Sequence, residues 1–352
     1  MNPYFKTKKI LLEKEITSTI SALKKTSQAD YVWSKSALNR FEKFILPGKM
    51  IRGLLVMLSA GDGKNNVEQD AIKIGTALEI MHSGILIHDD IIDRDSKRRG
   101  LPTMHYQYSQ MAKKLSEKEA LHYGEGMASC IGIIGYFMAI GQFAKLKNVA
   151  VQNQLLSLFS SEMALLGLGQ MDDLDTGTMH AVNELDCLRI YEQKTGRYTF
   201  GLPILAGLTL AGKMNAKTEK LVYEISKSLG IIFQLRDDYL GIFGDHKKTG
   251  KSVGGDIVER KKTWFYFTTL KVANKQDAKK LRELYNNHKT INSKDKKWVL
   301  QIMEQYNLPE LAKTELNSQK LIALDILGKL PFSTKQKSIM QDLVEQLITR
   351  VK

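Results

Sequence analysis

Apolar residues recur at helical spacing from one end of this chain to the other, and that periodicity sets the first limit on its fold. Ile10, Leu11, Ile16, Ile20 and Leu23 repeat this way, and Ile74, Leu78, Met81 and Ile85 follow at intervals of four, three and four. No segment sustains the period-two alternation of a half-buried strand, and only 6 prolines interrupt 352 residues. The pattern predicts helices over about 1–45, 66–88, 108–122, 124–147, 150–170, 183–198 and 218–236, with more from Asp277 to Lys352. A hydrophobic share of 43 % suffices for a sizeable core, and no linker of disordered composition divides the chain. The expected architecture is all-α, one large helical bundle over 1–352, with N-terminal helices at 1–45 and covering helices at 264–352.

Two stretches place acid where the helical pattern is otherwise apolar. Ile87-His-Asp-Asp-Ile-Ile-Asp93 packs Asp89, Asp90 and Asp93 into five positions, with Asp89 and Asp93 one turn apart on one face. Carboxylates that close repel unless a cation lies between them. Magnesium is the natural partner, since it binds through one or two carboxylates plus phosphates. Arg98 and Arg99 follow, and guanidinium groups grip phosphate oxygens in bidentate fashion. Phe233-Gln-Leu-Arg-Asp-Asp238 repeats the theme with Asp237 and Asp238. Helix bundles build metal sites from carboxylates on facing helices, so both clusters are expected to serve one core.

Several cations and one histidine join them. Lys49 and Arg52 fall three apart beside Pro47 and Gly48, at a helix start that is itself an anion site; solvated surface charge is the ordinary alternative. His82 lies two turns before Asp89 on nearly the same stripe, where a packing histidine is equally expected. Lys194 and Thr195 pair a cation with a hydroxyl inside a helix. Lys251 lies in a glycine-rich loop, and Lys261 is expected to begin a new helix. Gly250-Lys251-Ser252 lacks the upstream glycine and buried strand of a nucleotide-binding loop, which excludes ATP. Gly124, Gly126, Gly132 and Gly135 suit close helix packing, and Gln170–Asp175 reads as a helix end, with an aspartate facing the metal site as the alternative.

The net charge of +14 suits an anionic ligand. Zinc-finger spacing, RNA-binding aromatics and a basic tail are all missing, which excludes a nucleic-acid partner. Cys130 and Cys187 are the only cysteines; Cys130, in an apolar run, is expected to be a buried thiol. The first residues lack the apolar region of a secretory signal. The greasiest stretch, Ile131–Ala144, is too short for a transmembrane segment and is expected to be a buried core helix. A cytoplasmic protein is expected.

From Pro47 to Thr263 the ordered motifs resemble the trans-isoprenyl diphosphate synthases, the polyprenyl synthetase family. Asp89-Asp-Ile-Ile-Asp93 matches the first aspartate-rich motif and Arg98-Arg99-Gly100 the diarginine after it. Phe233-Gln234 with Asp237-Asp238 matches the second aspartate-rich motif, Lys49 and Arg52 the Gly-Lys-x-x-Arg stretch, and Lys194-Thr195, Lys251 and Lys261 further diphosphate contacts. The resemblance implies the isoprenoid synthase fold, a helical bundle around a central cavity, and a homodimer. It implies three magnesium ions with substrate bound, on Asp89, Asp93 and Asp237, with Asp90 and Asp238 as further metal-binding carboxylates. Arg98, Lys194 and Lys261 would take an allylic diphosphate, and Lys49, Arg52, His82 and Arg99 isopentenyl diphosphate, with Thr195, Gln234 and Lys251 beside the diphosphates. Asp89, Asp93, Arg98, Lys194 and Asp237 form the implied catalytic set. One departure stands out: Gly241 occupies the last aspartate position of the second motif, with Asp245 four residues on.

Product length follows from rise. Ile85 lies ~6 Å and Met81 ~12 Å below Asp89 along a helix. Members of the family that stop at farnesyl diphosphate place an aromatic about one turn above the motif; here Gly84 and Ile85 leave that level open. Met81, or Tyr136 or Phe137 from a neighbouring helix, would then form the floor, which points to geranylgeranyl diphosphate, with hexaprenyl, heptaprenyl or farnesyl products as alternatives. A class I terpene cyclase would not need Lys49, Arg52 and His82. A non-catalytic partner subunit of a heteromeric synthase would lose the aspartates that this chain keeps.

Overall fold

The computed structural model describes residues 2–26, 31–62, 65–175, 182–244, 254–286 and 291–350. They form two compact helical units, one of residues 1–158 and 203–214, the other of 159–202 and 215–352. Lys251 and Asp245 lie outside the described residues.

The first unit begins with α1 (Pro3–Thr26), α2 (Ser34–Ile45) and α3 (Ile51–Ala60). Leu12, Ile16 and Ile20 of α1 are fully buried, as their spacing predicts, and each contributes about 1.5–3 kcal/mol of burial. The long α4 (Asn65–Ile92) packs between α3 and α6 and carries the first aspartates in its last turn. Asp93 lies just past it, its N–H still bonded to the Asp89 carbonyl at 2.8 Å.

The stretch after Asp93, read as a loop, contains a small hairpin. β1 (Lys97–Arg98) and β2 (Leu101–Pro102) pair antiparallel, with Arg98 opposite Leu101. Arg99 (φ 53°) and Gly100 (φ 78°) form its two-residue loop, both left-handed as such hairpins require. Two-residue strands are too short to leave a periodic trace in sequence.

Then come α5 (Met104–Met111) and α6 (Glu117–Phe143), the latter opened by a Ser116–Glu119 capping box. The break expected near residue 123 is absent, because Gly124 sits inside α6 as a packing residue. A Cβ there would press on the backbone of α5, at 2.9 Å from the Ser109 nitrogen. Gly132 and Gly135 likewise admit His88 and Phe41, whereas Gly126 faces open space.

Only one side of α6 is therefore buried. Ile133, Phe137 and Ile140 are exposed, Phe137 at 69 %, and Cys130 is exposed on the same side. The expectations of a buried core helix and a buried Cys130 both fail here, since periodicity shows that a side is apolar but not what covers it. By length and composition alone α6 could cross a membrane; in the fold its glycine side packs on α4 and α5.

Helix α7 (Val149–Asp175) leads into the second unit, and α8 (Glu184–Ile190) into an eleven-residue π-helix, Tyr191–Gly201, continued by α9 (Leu202–Leu210). The centre of the second unit is α10 (Ala216–Phe243), which packs against the π-helix. There follow α11 (Gly255–Val258), α12 (Trp264–Val272), α13 (Lys275–Asn286), α14 (Ser293–Gln305), α15 (Leu308–Lys329) and α16 (Thr334–Thr349). Both α15 and α16 also pack on α10.

Candidate active site

In the first unit the acidic cluster divides by burial. Asp90 is fully buried and accepts a hydrogen bond from Arg98 Nε at 2.5 Å, while Asp89 is half-buried and Asp93 exposed. Burial pushes the Asp90 carboxyl up to about 6, against the pull of Arg98. Asp90 thus anchors the hairpin through Arg98, and Asp89 and Asp93 remain as the outward pair. The hairpin sends the two arginines apart: Arg98 turns back to Asp90, and Arg99 Nη1 reaches toward the Phe44 carbonyl at 3.4 Å.

Arg99 thereby joins the other cations of this unit. A Cβ on Gly48 would lie 3.5 Å from Arg99 Nη1, so glycine lets the guanidinium approach the turn that carries Lys49. Met50, left-handed at φ 55°, ends that turn, and Arg52 follows in the first turn of α3. Burial and the charges of Arg52, Arg99 and Arg98 hold the His82 imidazole well below its usual pKa, so it is neutral at pH 7. Lys49, Arg52, His82 and Arg99, which are spread over 51 residues, are brought to one region.

One feature that sequence reasoning missed is Glu79. It lies on α4 three residues before His82, is only 4 % exposed, and accepts the Gly53 N–H at 2.8 Å. Its one signal in the sequence is an acid inside the apolar run from Ala77 to Met81. It also corrects a second reading: the N–H groups opening α3 are taken by this internal carboxylate, so they are not a vacant anion site.

Two chain-length expectations change as well. Gly84 does not open a space, because a Cβ there would lie 2.8 Å from both the Gly132 carbonyl oxygen and the Tyr136 ring. Tyr136 also packs beside His88, with ring centroids 5.5 Å apart. Phe137, exposed on the opposite side of α6, cannot line a floor. Met81 is buried and Ile85 half-buried.

In the second unit the pair splits the same way. Asp238 is buried, accepts from the Tyr191 hydroxyl and from Gln234 Nε2 at 3.0 Å, and is pushed up to about 8 by burial and by Asp256. The Thr195 hydroxyl donates to Gln234 Oε1 at 3.2 Å, completing a network between the π-helix and α10. Close approach makes this possible: a Cβ on Gly230 would lie 2.7 Å from the Gly196 α-carbon.

Asp237 faces outward and pairs with Arg350, whose Nη2 lies 2.8 Å from Oδ1 and also donates to the Phe233 carbonyl at 3.1 Å. Lys194 pairs with Asp173 of the third acidic stretch at 2.5 Å. Lys261 lies in the turn before α12, not at a helix start, 2.9 Å from Glu259 and 4.0 Å from Asp256. Where the second motif lacks its last aspartate, the Asp256 carboxylate fills the space, its Cγ 2.9 Å from where a Gly241 Cβ would stand.

Comparison with known proteins places this arrangement. The polyprenyl synthetase family model matches residues 35–303. A short chain isoprenyl diphosphate synthase of Methanocaldococcus jannaschii is 29 % identical over 345 residues, 97 % of each chain. A geranylgeranyl diphosphate synthase of Saccharolobus solfataricus is 30 % identical over 301 residues, 84 % of each. The crystal structure of one geranylgeranyl pyrophosphate synthase superposes with a TM-score of 0.80 at 27 % identity, over the whole of both chains. Another, from Corynebacterium glutamicum and complexed with isoprenyl diphosphate and magnesium, shares the fold with a TM-score of 0.85 at 22 % identity, over 97 % of this chain and 98 % of that one. With two aspartate-bearing helices, a diarginine hairpin and a matching family model over most of its length, the chain belongs to the polyprenyl synthetase family as a trans-isoprenyl diphosphate synthase.

Proposed function

We propose that this chain joins isopentenyl diphosphate to an allylic diphosphate in successive head-to-tail steps and releases geranylgeranyl diphosphate, acting as one isoprenoid synthase domain in the cytoplasm. The observation that carries the reading is the assembly in one unit of Arg52, His82, Arg98 and Arg99 beside the outward carboxylates Asp89 and Asp93. A terpene cyclase has no use for that second cationic cluster, and the aspartates of both motifs argue against a non-catalytic partner subunit.

Magnesium fits the residues present. The outward donors Asp89, Asp93 and Asp237 offer only carboxylate oxygens, the hard ligands this ion prefers. Among the described residues no group of three or more His, Cys, Asp or Glu forms a ready-made metal cage. Carboxylates that leave coordination positions to substrate phosphates suit magnesium, which keeps waters and binds through few carboxylates. When bound, it would neutralise the charge developing on the departing diphosphate.

The chain's own residues do the rest. Arg98, Lys194 and Lys261 would hold the allylic diphosphate, supported by Thr195 and Gln234, and Lys251 keeps its sequence-based assignment as a further diphosphate contact. Lys49, Arg52, His82 and Arg99 hold isopentenyl diphosphate. The bond from allylic carbon to diphosphate oxygen breaks and its electron pair leaves with the diphosphate. The isopentenyl double bond then attacks the allylic cation, and the proton lost from the adduct passes to the released diphosphate. Apolar walls must exclude water meanwhile, or the cation would be hydrolysed.

A homodimer is part of the proposal. The exposed apolar side of α6, with Ile133, Phe137 and Ile140, offers a second copy of this chain a surface that water covers at a cost. The activity test is incubation with isopentenyl diphosphate, magnesium and dimethylallyl, geranyl or farnesyl diphosphate in turn. Twenty-carbon product is expected with each primer; the absence of any extended product would sink the reading.

A further inference from the structure

Why Glu79 is an acid needs a reason. Burying a carboxylate is unfavourable unless hydrogen bonds and charges compensate it, and an apolar residue would fill the same place on α4 more cheaply. Compensation here comes from two directions. The backbone N–H groups of Gly53 (2.8 Å) and Arg52 bond to it, closing the first turn of α3 from inside. Burial holds its carboxyl above the usual range, and the charges of Arg52 and Arg99, with those backbone bonds, offset part of that push.

Glycine at position 53 is what permits the contact. A Cβ there would lie 3.2 Å from Glu79 Cγ, 3.0 Å from the Gly75 carbonyl and closer still to Leu12. One carboxylate therefore bonds the first turn of α3, which carries Arg52 and follows Lys49, to the helix that carries His82, and its charge acts on Arg99 of the hairpin. Cations brought together with no anion between them would repel and splay. A fixed internal counter-charge keeps them gathered before substrate arrives, and ordering done in advance is not charged to binding.

We propose that Glu79 is a positioning residue for isopentenyl diphosphate, holding Arg52 and Arg99 in their binding arrangement while the site is empty. The assignment rests on the proposed use of the Lys49, Arg52, His82 and Arg99 cluster. Its test compares wild type with Glu79→Gln, which keeps the shape and loses the charge, and Glu79→Asp, which keeps the charge and shortens the reach. Steady-state kinetics would be paired with calorimetric titration of isopentenyl diphosphate alone. Glu79→Gln is expected to raise both the KM and the Kd for isopentenyl diphosphate about tenfold, the loss of one hydrogen-bonded charge interaction. The KM for the allylic substrate and kcat should stay within about threefold, the mark of lost uniform binding of one substrate. Glu79→Asp should recover part of the affinity. In a double-mutant cycle, Glu79→Gln should add little to Arg52→Ala.

An unchanged isopentenyl diphosphate affinity, or additivity in the cycle, would overturn the assignment. So would equal loss for both substrates, or failure of both variants to fold, which would make the residue merely structural. Wild-type enzyme that turns over no isopentenyl diphosphate would instead sink the proposed function itself.

Discussion

At the scale of single residues, each acidic motif separates one buried carboxylate from those that face outward, two in the first motif and one in the second. Asp90 and Asp238 are spent on Arg98 and on Tyr191 with Gln234, and Asp89, Asp93 and Asp237 are the carboxylates that the proposed function assigns to magnesium. Asp237 already has a cation beside it, Arg350, seated 4.0 Å over the Phe233 ring. With Asp237 45 % exposed the pair is worth ~1 kcal/mol at most. Arg350→Ala is accordingly expected to lower the magnesium needed for half-maximal turnover by up to about fivefold. Manganese binding followed by electron paramagnetic resonance should tighten in parallel, and an unchanged affinity would show that the ion pair opposes nothing. For product length, the proposed function makes Ile85 the adjustable wall. Ile85→Phe should shift product from twenty toward fifteen carbons by chromatography, whereas an unaltered spectrum would remove Ile85 from the wall. Gly132→Ala should instead cost stability, since its Cβ would press on the His88 ring. About 1–3 kcal/mol is expected from overpacking, measured as a lower urea midpoint.

At the scale of elements, the helices are legible where one side meets the core and silent about their other side. The stripe Ile74, Leu78, Met81 identified α4, and its acidic last turn followed from the same register. The π-helix was not legible, because nothing in Tyr191–Gly201 distinguishes wide winding from ordinary winding. What fixes it is tertiary: Tyr191, Thr195 and Gly196 all meet α10. Such wide turns concentrate at functional sites, and here one carries Lys194. The hairpin was hidden for the opposite reason, being two residues a side. The second half of α6 reads as apolar, and only packing reveals that Phe137 lies outside. If a second copy covers that side, Phe137→Asp should halve the mass measured by light scattering, and a mass unchanged by the substitution would exclude this surface as the interface.

For the whole molecule, the motifs were legible because their chemistry is local, whereas the residues that support them are not. Asp89, Asp93, Arg98 and Asp237 announce themselves by neighbours in the chain. Glu79 does not, since its meaning depends on Gly53, 26 residues away. Asp256 escaped notice for a similar reason, standing 15 residues beyond the Gly241 it overlies. Long-range compensation of this kind leaves no spacing to read. All-α organisation was legible, the hairpin aside, since helical periodicity is local and repeats many times.

The two cysteines have a practical use that follows from their placement. Cys187 is sealed in the second unit, with its thiol pushed well above the usual range by burial, while Cys130 stands in the open next to the apolar side of α6. A maleimide dye should thus mark one position per chain without any engineering. If a second copy covers α6, labelling should be rapid in dilute protein and slow at concentrations where the copies associate, so the native thiol would serve as an optical gauge of assembly.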